Sequence, residues 1–384
     1  MNSNTRIHVL DILRGFAIVS IMLLHCIEHF DIYYFPEHLP IWMQSLDSYI
    51  WDTMFFLFSG KSYSIFALLF GVTYAIQLSK QKEKGLTFGY RFAWRMLLLF
   101  GFGVINSAFF QGDILGIYAV LGVLLIPLSK LKDSVIIAIS VVLLLLPYEW
   151  INLIYAFQHP EEKISDPVSW TYFGKMFEYI AEPSLWNTLV GNFTNGKIAV
   201  MLWNWENGRF FSILALFLLG YVMGKHNKFS NSRDNLSFWI RTLIISIFIF
   251  IPLYLLQRNM DSLIHSDIIR RSVLTIETTL TNFSFTLILI SGIILMFYKT
   301  KMHNPLLYFS RFGRMSLSNY IIQSIIGSAL FYGWGFGLYQ YTGATLGLLI
   351  GLILTILIGI FCKWWARKYR QGPFEIIWHK ATWI

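Results

Sequence analysis

The stretch LDILRGFAIVSIMLLHCIEH, Leu10 to His29, is an apolar run long enough to cross the hydrocarbon core of a membrane as one helix. It nevertheless contains Arg14 near its start and His25 near its end, and charged or titratable residues are costly in lipid. At about 100° per residue, the eleven steps between them return to within about 20° of the same face. The two residues are about 16 Å apart along the axis. The sequence therefore predicts a first span with one face that is polar at both ends.

The composition of the whole chain indicates a membrane protein. Of its 384 residues, 56% are hydrophobic and only 13% are charged, too few to cover a soluble protein of this size. Apolar runs of about twenty residues predict ten spans. The predicted spans are residues 10–30, 51–78, 91–110, 112–129, 135–157, 208–225, 237–257, 272–298, 306–332 and 343–366. We therefore expect an all-α, polytopic helical bundle integral to the membrane.

The net charge of +9 is distributed according to a membrane topology. Basic residues gather in every second predicted loop, whereas the connections between those loops include the acidic stretches 28–52 and 149–206. The positive-inside rule then places both termini in the cytoplasm. One outer loop, with Arg258, Arg270 and Arg271, breaks the pattern. Nucleic acid is not an expected partner, because no basic patch has interleaved exposed aromatic residues.

With this orientation, the polar residues of the spans collect at two depths. The outer group is His25, Glu28, Asn106, Asp113, Arg209 and Glu277. The inner group is Arg14, Arg91, Arg95, Arg311 and Arg314. Ionisable residues within a membrane are functional candidates, because leaving them unpaired there is expensive. Between spans five and six, the Trp- and Tyr-rich residues 158–207 predict helices at the outer interface.

The charged candidates also have purely structural interpretations. Asp11 and Arg14, three residues apart on a helix, could pair with each other. The inner arginines could anchor to lipid headgroups, and His25 could be a buried histidine that is hydrogen-bonded to a neighbouring helix. Glu28 could be an ordinary residue at a loop edge, and Asp113 could cap the helix that follows the Gly112 turn.

The uncharged candidates and a lone lysine have similar alternatives. Asn319 and Gln323, four residues apart in span nine, could hold helices together rather than contact a substrate. Lys61, beside Gly60, indicates a break in span two.

Several blocks of the sequence resemble the YeiB-like family of bacterial membrane proteins. The N-terminal blocks are RIHVLDILRGFAIVSIML (6–23), GKSYSIFALLFGVTYAI (60–76) and RFAWRMLLLFGFGVINSAFFQGDILGIYAVLGVLLI (91–126). The C-terminal blocks, GRMSLSNYIIQSIIGSALFYGWGFGLY (313–339) and RQGPFEIIWHKATW (370–383), resemble the family's end domain, the domain of unknown function 418. The resemblance spans nearly the whole chain and is weakest between about 130 and 207.

The N-terminal block is in turn similar to two groups of membrane acyltransferases, the O-antigen-acetylase type and the lysosomal heparan-glucosaminide N-acetyltransferase type. In those groups, cytoplasmic acyl-CoA supplies the acyl group and a sugar is modified on the far side. Arg14 and His25 match the first-helix signature of the O-antigen-acetylase type, although YeiB-like proteins more often have Asn at the position of His25. The resemblance implies a multi-pass protein of the bacterial inner membrane.

The resemblance also implies a division of the chain into three parts. Residues 1–130 would form an acyltransferase-like transmembrane block, residues 131–207 the fifth helix with the outer interfacial segment, and residues 208–384 a C-terminal transmembrane domain.

Resemblance and polar residues together suggest a membrane acyltransferase that moves an acyl group, expected to be acetyl, from acyl-CoA to an extracytoplasmic sugar or other envelope acceptor. The predicted catalytic residues are His25 as general base, with Glu28 or Asp113 orienting its ring. Guanidinium forks match phosphate geometry, so the predicted donor-binding residues are Arg14, Arg91, Arg95 and Arg314. The predicted oxyanion or acceptor-binding residues are Lys61, Asn106, Gln111, Arg209, Glu277, Asn319 and Gln323.

The expected partners are membrane lipids, acetyl-CoA or another acyl-CoA as donor, and an extracytoplasmic glycan or small-molecule acceptor; a homodimer is left open. The two cysteines give no metal-binding pattern, so no metal cofactor is expected. A transporter or flippase of a small or lipid-linked molecule is the alternative, because polar residues at two depths beside a broken helix would serve it equally well. A third alternative is a non-catalytic membrane partner, whose interior would be sealed by aromatic side chains.

Overall fold

The computed structural model describes residues 7–36, 39–163 and 165–383, and within these ranges the chain is helical without β-strands. The α-helices are α1 His8–Ile27, α2 Ile41–Phe58, α3 Ser62–Glu83, α4 Gly89–Phe109, α5 Leu115–Val123, α6 Leu125–Leu128, α7 Asp133–Leu144, α8 Pro147–Gln158, α9 Val168–Ile180, α10 Leu185–Gly191, α11 Lys197–Glu206, α12 Arg209–Lys225, α13 Arg233–Arg258, α14 Met260–Leu263, α15 Asp267–Lys299, α16 His303–Arg314, α17 Ser316–Phe331, α18 Ala344–Trp365 and α19 Pro373–Thr382. The predicted all-α class is confirmed for the described residues.

Six segments of the described chain are long and apolar enough to cross a membrane. They are α1, the pair α2–α3, α4, α13, α15 and α18. The pair α7–α8, bent by 41°, and the segment Leu185–Glu206 with α12, bent by 69°, raise the number to eight if each is one span. The chain is thus a multi-pass membrane protein. The predicted spans 112–129 and 306–332 correspond to shorter helices, α5–α6 and α16–α17.

The predicted break in span two is confirmed. Helix α2 ends at Phe58 and α3 begins at Ser62. Gly60 has a φ of +77°, a left-handed conformation that favours glycine, and a Cβ there would lie 2.5 Å from the side-chain nitrogen of Asn282. The break therefore needs both the conformational freedom and the small size of Gly60.

Helix α1 is held against its neighbours by glycines that allow backbone contact. A Cβ on Gly15 of α1 would lie 1.8 Å from a backbone oxygen of α16, and a Cβ on Gly313 would lie 1.8 Å from a backbone oxygen of α1. Gly71 and Gly220 make the same kind of crossing between α3 and α12. Small residues allow such close helix packing in membranes, where lipid supplies no hydrophobic drive for helices to associate. The crossing of α1 with α16 fixes the rotation of α1, and thus the direction of its polar face.

Candidate functional site

A cavity of about 380 Å³ lies beside the N-terminal half of α1 and is called the inner cavity here. Its arginines are Arg14, Arg95, Arg314 and Arg370, which come from α1, α4, α16 and the segment after α18. Aromatic and apolar side chains also line it, among them those of Ile21, Tyr63, Ile114, Leu115, Tyr118 and Tyr320. The inner cavity is therefore cationic where the arginines gather and largely apolar elsewhere.

The arginines of the inner cavity are also tied to the bundle. Arg14 donates to Thr73 Oγ1 over 2.5 Å and pairs with Asp11 over 3.2 Å, so the structural interpretation of the Asp11–Arg14 pair is correct, and Arg14 still lines the cavity. The guanidinium of Arg95 lies 4.2 Å from the ring centroid of Trp378. Arg91 is stacked on another C-terminal tryptophan and does not line the cavity. Three of the four predicted donor-binding arginines thus share one cavity.

Helix α1 ends in a left-handed turn that bends the chain back on itself. The N–H of Phe30 donates to the carbonyl of His25 over 2.7 Å, and the N–H of His29 to that of Cys26 over 3.3 Å. This is the Schellman pattern of helix ends, which usually places glycine where His29 stands. His29, Phe30 and Asp31 all have positive φ, of 49°, 54° and 72°. Positive φ angles are uncommon in residues other than glycine, and strained backbone of this kind clusters at functional sites.

This turn brings three side chains together at the end of α1. His25 Nδ1 lies 3.2 Å from Glu28 Oε2. One ligand atom from each of His25, Glu28 and Asp31 lies within 4.8 Å of the others, and this is the group of described residues able to hold a metal ion. Gln111 donates to Asp31 over 3.1 Å, and Tyr33 to Glu28 over 3.4 Å. The side chains of His25, Glu28, Asp31 and Gln111 are called the outer cluster.

Arg209 supplies a positive charge to the outer cluster. Its charge acts on both Glu28 and Asp31, and its guanidinium is 3.9 Å from the ring centroid of Trp203 and 4.6 Å from that of Tyr63. Because Arg209 and the hydrogen-bond donors already offset the two carboxylates, the outer cluster suits proton transfer better than metal binding. Of the predicted oxyanion or acceptor-binding residues, the structure thus brings Gln111 and Arg209 to the outer cluster.

The inner cavity approaches the outer cluster at two points. Ile21 lines the cavity and precedes His25 by four residues, one helical turn or about 6 Å along α1. Tyr63 lines the cavity and stacks on Arg209. His25 itself does not line the cavity. The predicted corridor from the inner arginines therefore ends one turn short of the imidazole.

Asp113 lies in a different polar group from His25. Its carboxylate accepts from Asn106 Nδ2 over 3.1 Å and from the N–H of Gly116 over 3.0 Å, and lies 3.8 Å from Lys197 Nζ. The capping interpretation of Asp113 is therefore the one that the geometry favours. Glu28, rather than Asp113, contacts the imidazole of His25.

Lys61 and Glu277 lie away from the inner cavity. Lys61 is buried, with its Nζ 5.9 Å from the ring centroid of Phe56 and 5.6 Å from that of Phe285. Glu277 accepts a hydrogen bond from Thr281 on its own helix, and its other oxygen has no partner among the described residues. Lys61 thus lies at the break between α2 and α3, beside α15, and Glu277 lies on α15.

Asn319 and Gln323 lie in helix contacts. Asn319 donates to the carbonyl of Phe312 over 3.1 Å and accepts from Cys362 over 3.4 Å. Gln323 is 1% exposed. Neither lines the inner cavity. The contacts of Asn319 fit the alternative of a residue that holds helices together, whereas the amide nitrogen of Gln323 has no hydrogen-bond partner among the described residues.

Sequence reasoning missed two parts of this arrangement. Asp31 was not a candidate, although His25, Glu28 and Asp31 recur at three-residue intervals. The C-terminal helix α19 was also missed, although Glu375, Trp378 and His379 line the inner cavity. No local pattern points to α19, because its contacts are with residues far away in the chain.

Burial and, to a smaller extent, the neighbouring charge of Glu28 raise the pKa of Asp31 to about 7, against the opposing effects of His25, Gln111 and Arg209. The folded state thus holds the proton of Asp31 more tightly than the unfolded state does. The resulting contribution to the free energy of unfolding is complete below about pH 4 and is lost as the pH rises through about 7. We expect Asp31→Asn to flatten this dependence, so that between pH 5 and 8 the wild-type melting temperature falls by roughly 2–4 °C more than that of the variant. Thermal unfolding in detergent across this range checks it. Asp166→Asn, at an exposed carboxylate, is the control, and parallel wild-type and Asp31→Asn curves would contradict the expectation.

Comparisons with known proteins show which proteins the chain is similar to. Residues 223–384 match the family described as "Protein of unknown function (DUF418)". The "Uncharacterized protein YxaH" of Bacillus subtilis (strain 168) is 28% identical over 100% of this chain and 95% of its own length. The "Uncharacterized protein YeiB" of Escherichia coli (strain K12) is 36% identical over 18% of each chain. No solved structure matches the chain. The predicted resemblance to the YeiB-like family is confirmed.

Proposed function

We propose that this chain, which resembles the YeiB-like family, is a membrane acyltransferase that moves an acyl group, in the first instance acetyl, from cytoplasmic acyl-CoA to a sugar or other acceptor outside the membrane. The supporting observation is the inner cavity, which begins at Arg14 and Arg314 and ends at Ile21, one helical turn from His25. A binding site for an anionic donor and a general base thus lie along one helix, α1.

The proposal includes an orientation and a number of spans. Alternation of basic and acidic connections favours ten spans, with both termini on the cytoplasmic side of the bacterial inner membrane. Six of them correspond to the long apolar segments described above, and two more would be the bent pairs. The other two would be α5–α6 and α16–α17, each interrupted within its length. In this orientation the arginines of the inner cavity face the cytoplasm and the outer cluster faces the opposite side.

The inner cavity supplies groups suited to a nucleotide thioester. Arg14, Arg95, Arg314 and Arg370 would hold its phosphates, because guanidinium groups bind phosphate through paired hydrogen bonds. The extended arm would then follow the apolar part of the cavity toward Ile21. The axial separation of Arg14 and His25, about 16 Å, is comparable with the length of such an arm.

The outer cluster would perform the transfer. Glu28 holds Nδ1 of His25, which leaves Nε2 to take the proton from an acceptor hydroxyl or amine. The acceptor atom then attacks the thioester carbonyl, a bond to the acyl carbon forms, and the carbon–sulfur bond breaks. The thiolate of CoA leaves with the proton returned by the imidazolium. Gln111 or Arg209 is placed to stabilise the developing oxyanion.

Arg95→Ala is expected to weaken acetyl-CoA binding by about tenfold, because it removes one charge-assisted contact to phosphate. Arg91→Ala is the matched control: Arg91 lies one turn earlier on α4 and stacks on Trp383, but it does not line the inner cavity. The affinity of Arg91→Ala for acetyl-CoA should stay within about twofold of that of the wild type. Isothermal titration calorimetry of the purified protein measures both. Equal losses in the two variants would show that the arginines act through α19 rather than by contacting the donor.

Transport of a small or lipid-linked molecule is the second candidate function. The interruptions at Gly60–Lys61 and at Met315 favour it, because transporters bind ions and substrates near discontinuous helices. Cysteine accessibility from the two sides of the membrane separates the two functions. A transporter exposes the inner cavity to each side in turn, whereas the acyltransferase keeps the arginines accessible only from the cytoplasm.

A further inference from the structure

The C-terminal helix α19 forms one wall of the inner cavity. Its residues Glu375, Trp378 and His379, together with Arg370 and Gln371 just before it, face the same space as Arg14. Four of the cavity's polar side chains, those of Arg370, Gln371, Glu375 and His379, thus come from the last fifteen residues of the chain. If α19 moved away, the cavity would lose this entire side.

Glu375 fastens α19 to the start of α17. Met315, with φ −120° and ψ 34°, separates α16 from α17. No side chain at the start of α17 caps it. The first N–H groups of a helix lack partners within it. Glu375 Oε1 accepts from the N–H of Leu317 over 2.8 Å and from that of Ser318 over 3.2 Å. A carboxylate from 58 residues away thus caps α17.

The contact is reciprocal. The hydroxyl of Ser318 donates to Glu375 and accepts from the N–H of Phe374, at the first turn of α19, over 3.0 Å. Ser318 is fully buried. Gly372 leaves room for the pair, since a Cβ there would lie 2.2 Å from Glu375 Oε2 and 2.6 Å from Ser318 Oγ. A side chain at the start of each helix therefore accepts hydrogen bonds from backbone N–H groups at the start of the other.

Helix α19 is also attached to α4, by two hydrogen bonds from tryptophan side chains and by a stacked guanidinium. The indole N–H of Trp378 donates to the carbonyl of Arg95 over 3.1 Å, and that of Trp94 donates to the carbonyl of Ala381 over 2.8 Å. The guanidinium of Arg95 lies over the ring of Trp378. Half of the side chain of Ile377, in the middle of the helix, is exposed. No attachment other than Glu375 joins α19 to a helix end by a carboxylate among the described residues.

We infer that α19 is a hinged wall of the inner cavity and that the contact between Glu375 and Ser318 is the latch that keeps it closed. Release of the latch leaves α19 attached to α4 through its tryptophans and opens the cavity beside Arg14 and Arg314. A negatively charged group that approaches these arginines also competes with Glu375 for the N–H groups of α17. The identity of the entering molecule rests on the proposed function, whereas the movement of α19 does not.

Hydrogen exchange of the full-length protein in detergent tests the latch without any ligand. Glu375→Gln removes the charge from the hydrogen bonds to α17, and we expect the amides of residues 373–382 to exchange about tenfold faster. The change should be confined to α19 and the first turn of α17. Glu161→Gln, at an exposed carboxylate, is the matched control and should match the wild type. Unchanged protection of α19 in Glu375→Gln would overturn the inference.

A cysteine reporter in the cavity gives an independent readout. Ser316 lines the inner cavity, and the native Cys26 and Cys362 are each 0% exposed, so Ser316→Cys is the reactive thiol. Its alkylation by a hydrophilic maleimide should be about tenfold faster with Glu375→Gln than without it, by the same free-energy argument. The exposed Ser79→Cys should react at the same rate in both backgrounds. Equal rates at Ser316→Cys would contradict the latch.

Milder variants keep the test decisive if Glu375→Gln does not fold. Ser318→Ala removes only one hydroxyl from the same contact and is expected to speed α19 exchange by about threefold. Gly372→Ala intrudes on both latch atoms and should act in the same direction. Faster exchange without acetyl-CoA binding would reject the proposed function alone, whereas binding without faster exchange would reject the latch alone.

Discussion

Replacing His25 with alanine is expected to lower the rate of acyl transfer by roughly 10² to 10⁴-fold, the usual contribution of a positioned general base. Acetyl-CoA binding should be unchanged, because the arginines of the inner cavity begin about 16 Å away along α1. The release of free CoA thiol from membranes supplied with acetyl-CoA measures the rate, and calorimetry measures the binding. A loss of turnover without a loss of donor affinity would place His25 in the chemical step.

Two further variants separate this role from a structural one. Glu28→Gln keeps a hydrogen-bonding group beside His25 Nδ1 but removes the charge that would stabilise the imidazolium, so turnover should fall by about tenfold with a shifted pH profile. His159→Ala, at an exposed histidine, should be neutral. Full turnover by His25→Ala would remove the imidazole from the mechanism.

Substitution of the glycines at the crossing of α1 and α16 is the second change with a large expected effect. A Cβ on Gly15 or Gly313 meets a backbone oxygen at 1.8 Å, and a backbone atom cannot turn aside as a flexible side chain would. Gly313→Ala should therefore cost at least the upper end of the roughly 1–3 kcal/mol that overpacking costs. Because Gly313 and Arg314 line the inner cavity, donor binding should be lost with the folded yield.

Gly292→Ala is the matched control, since a Cβ there has nothing within 4 Å. Because Gly292 lies within helix α15 and the added methyl group meets no neighbour, the change from glycine to alanine should be stabilising, by roughly 0.5–1 kcal/mol. Thermal unfolding followed by size-exclusion chromatography compares the variants. Wild-type stability of Gly313→Ala would show that α1 and α16 can separate without loss, and the rotation of α1 would then need another explanation.

Much of the fold could be predicted from the sequence because membrane helices are marked by length and hydropathy. Helical periodicity predicts that Arg14 and His25 share a face, and the pair Gly60–Lys61 predicts the interruption of the second span. It could not give the lateral arrangement of the helices, which depends on glycine crossings such as that of Gly15 with Gly313. It also merged α16 with α17, because Met315 has no helix-breaking signature.

The candidate site was predicted less completely, for three physical reasons. Depth in the membrane grouped Asp113 with His25, but side-chain direction separates residues at one depth, and Asp113 turns to Asn106 and Gly116 instead. Asp31 joins the outer cluster through three successive left-handed residues, a conformation that nothing in the sequence HFD requires. Contacts made across the fold, such as Glu375 with α17, leave no local signal at all.

The position of acetyl-CoA bound to the protein, determined by electron cryomicroscopy, is the most direct test of the proposed acyltransferase. We expect the phosphates beside Arg14, Arg314 and Arg370, with the arm along the apolar part of the inner cavity and the thioester at the level of Ile21, facing His25. A donor bound outside this cavity, or a thioester left among the arginines with no path past Tyr63, would contradict it.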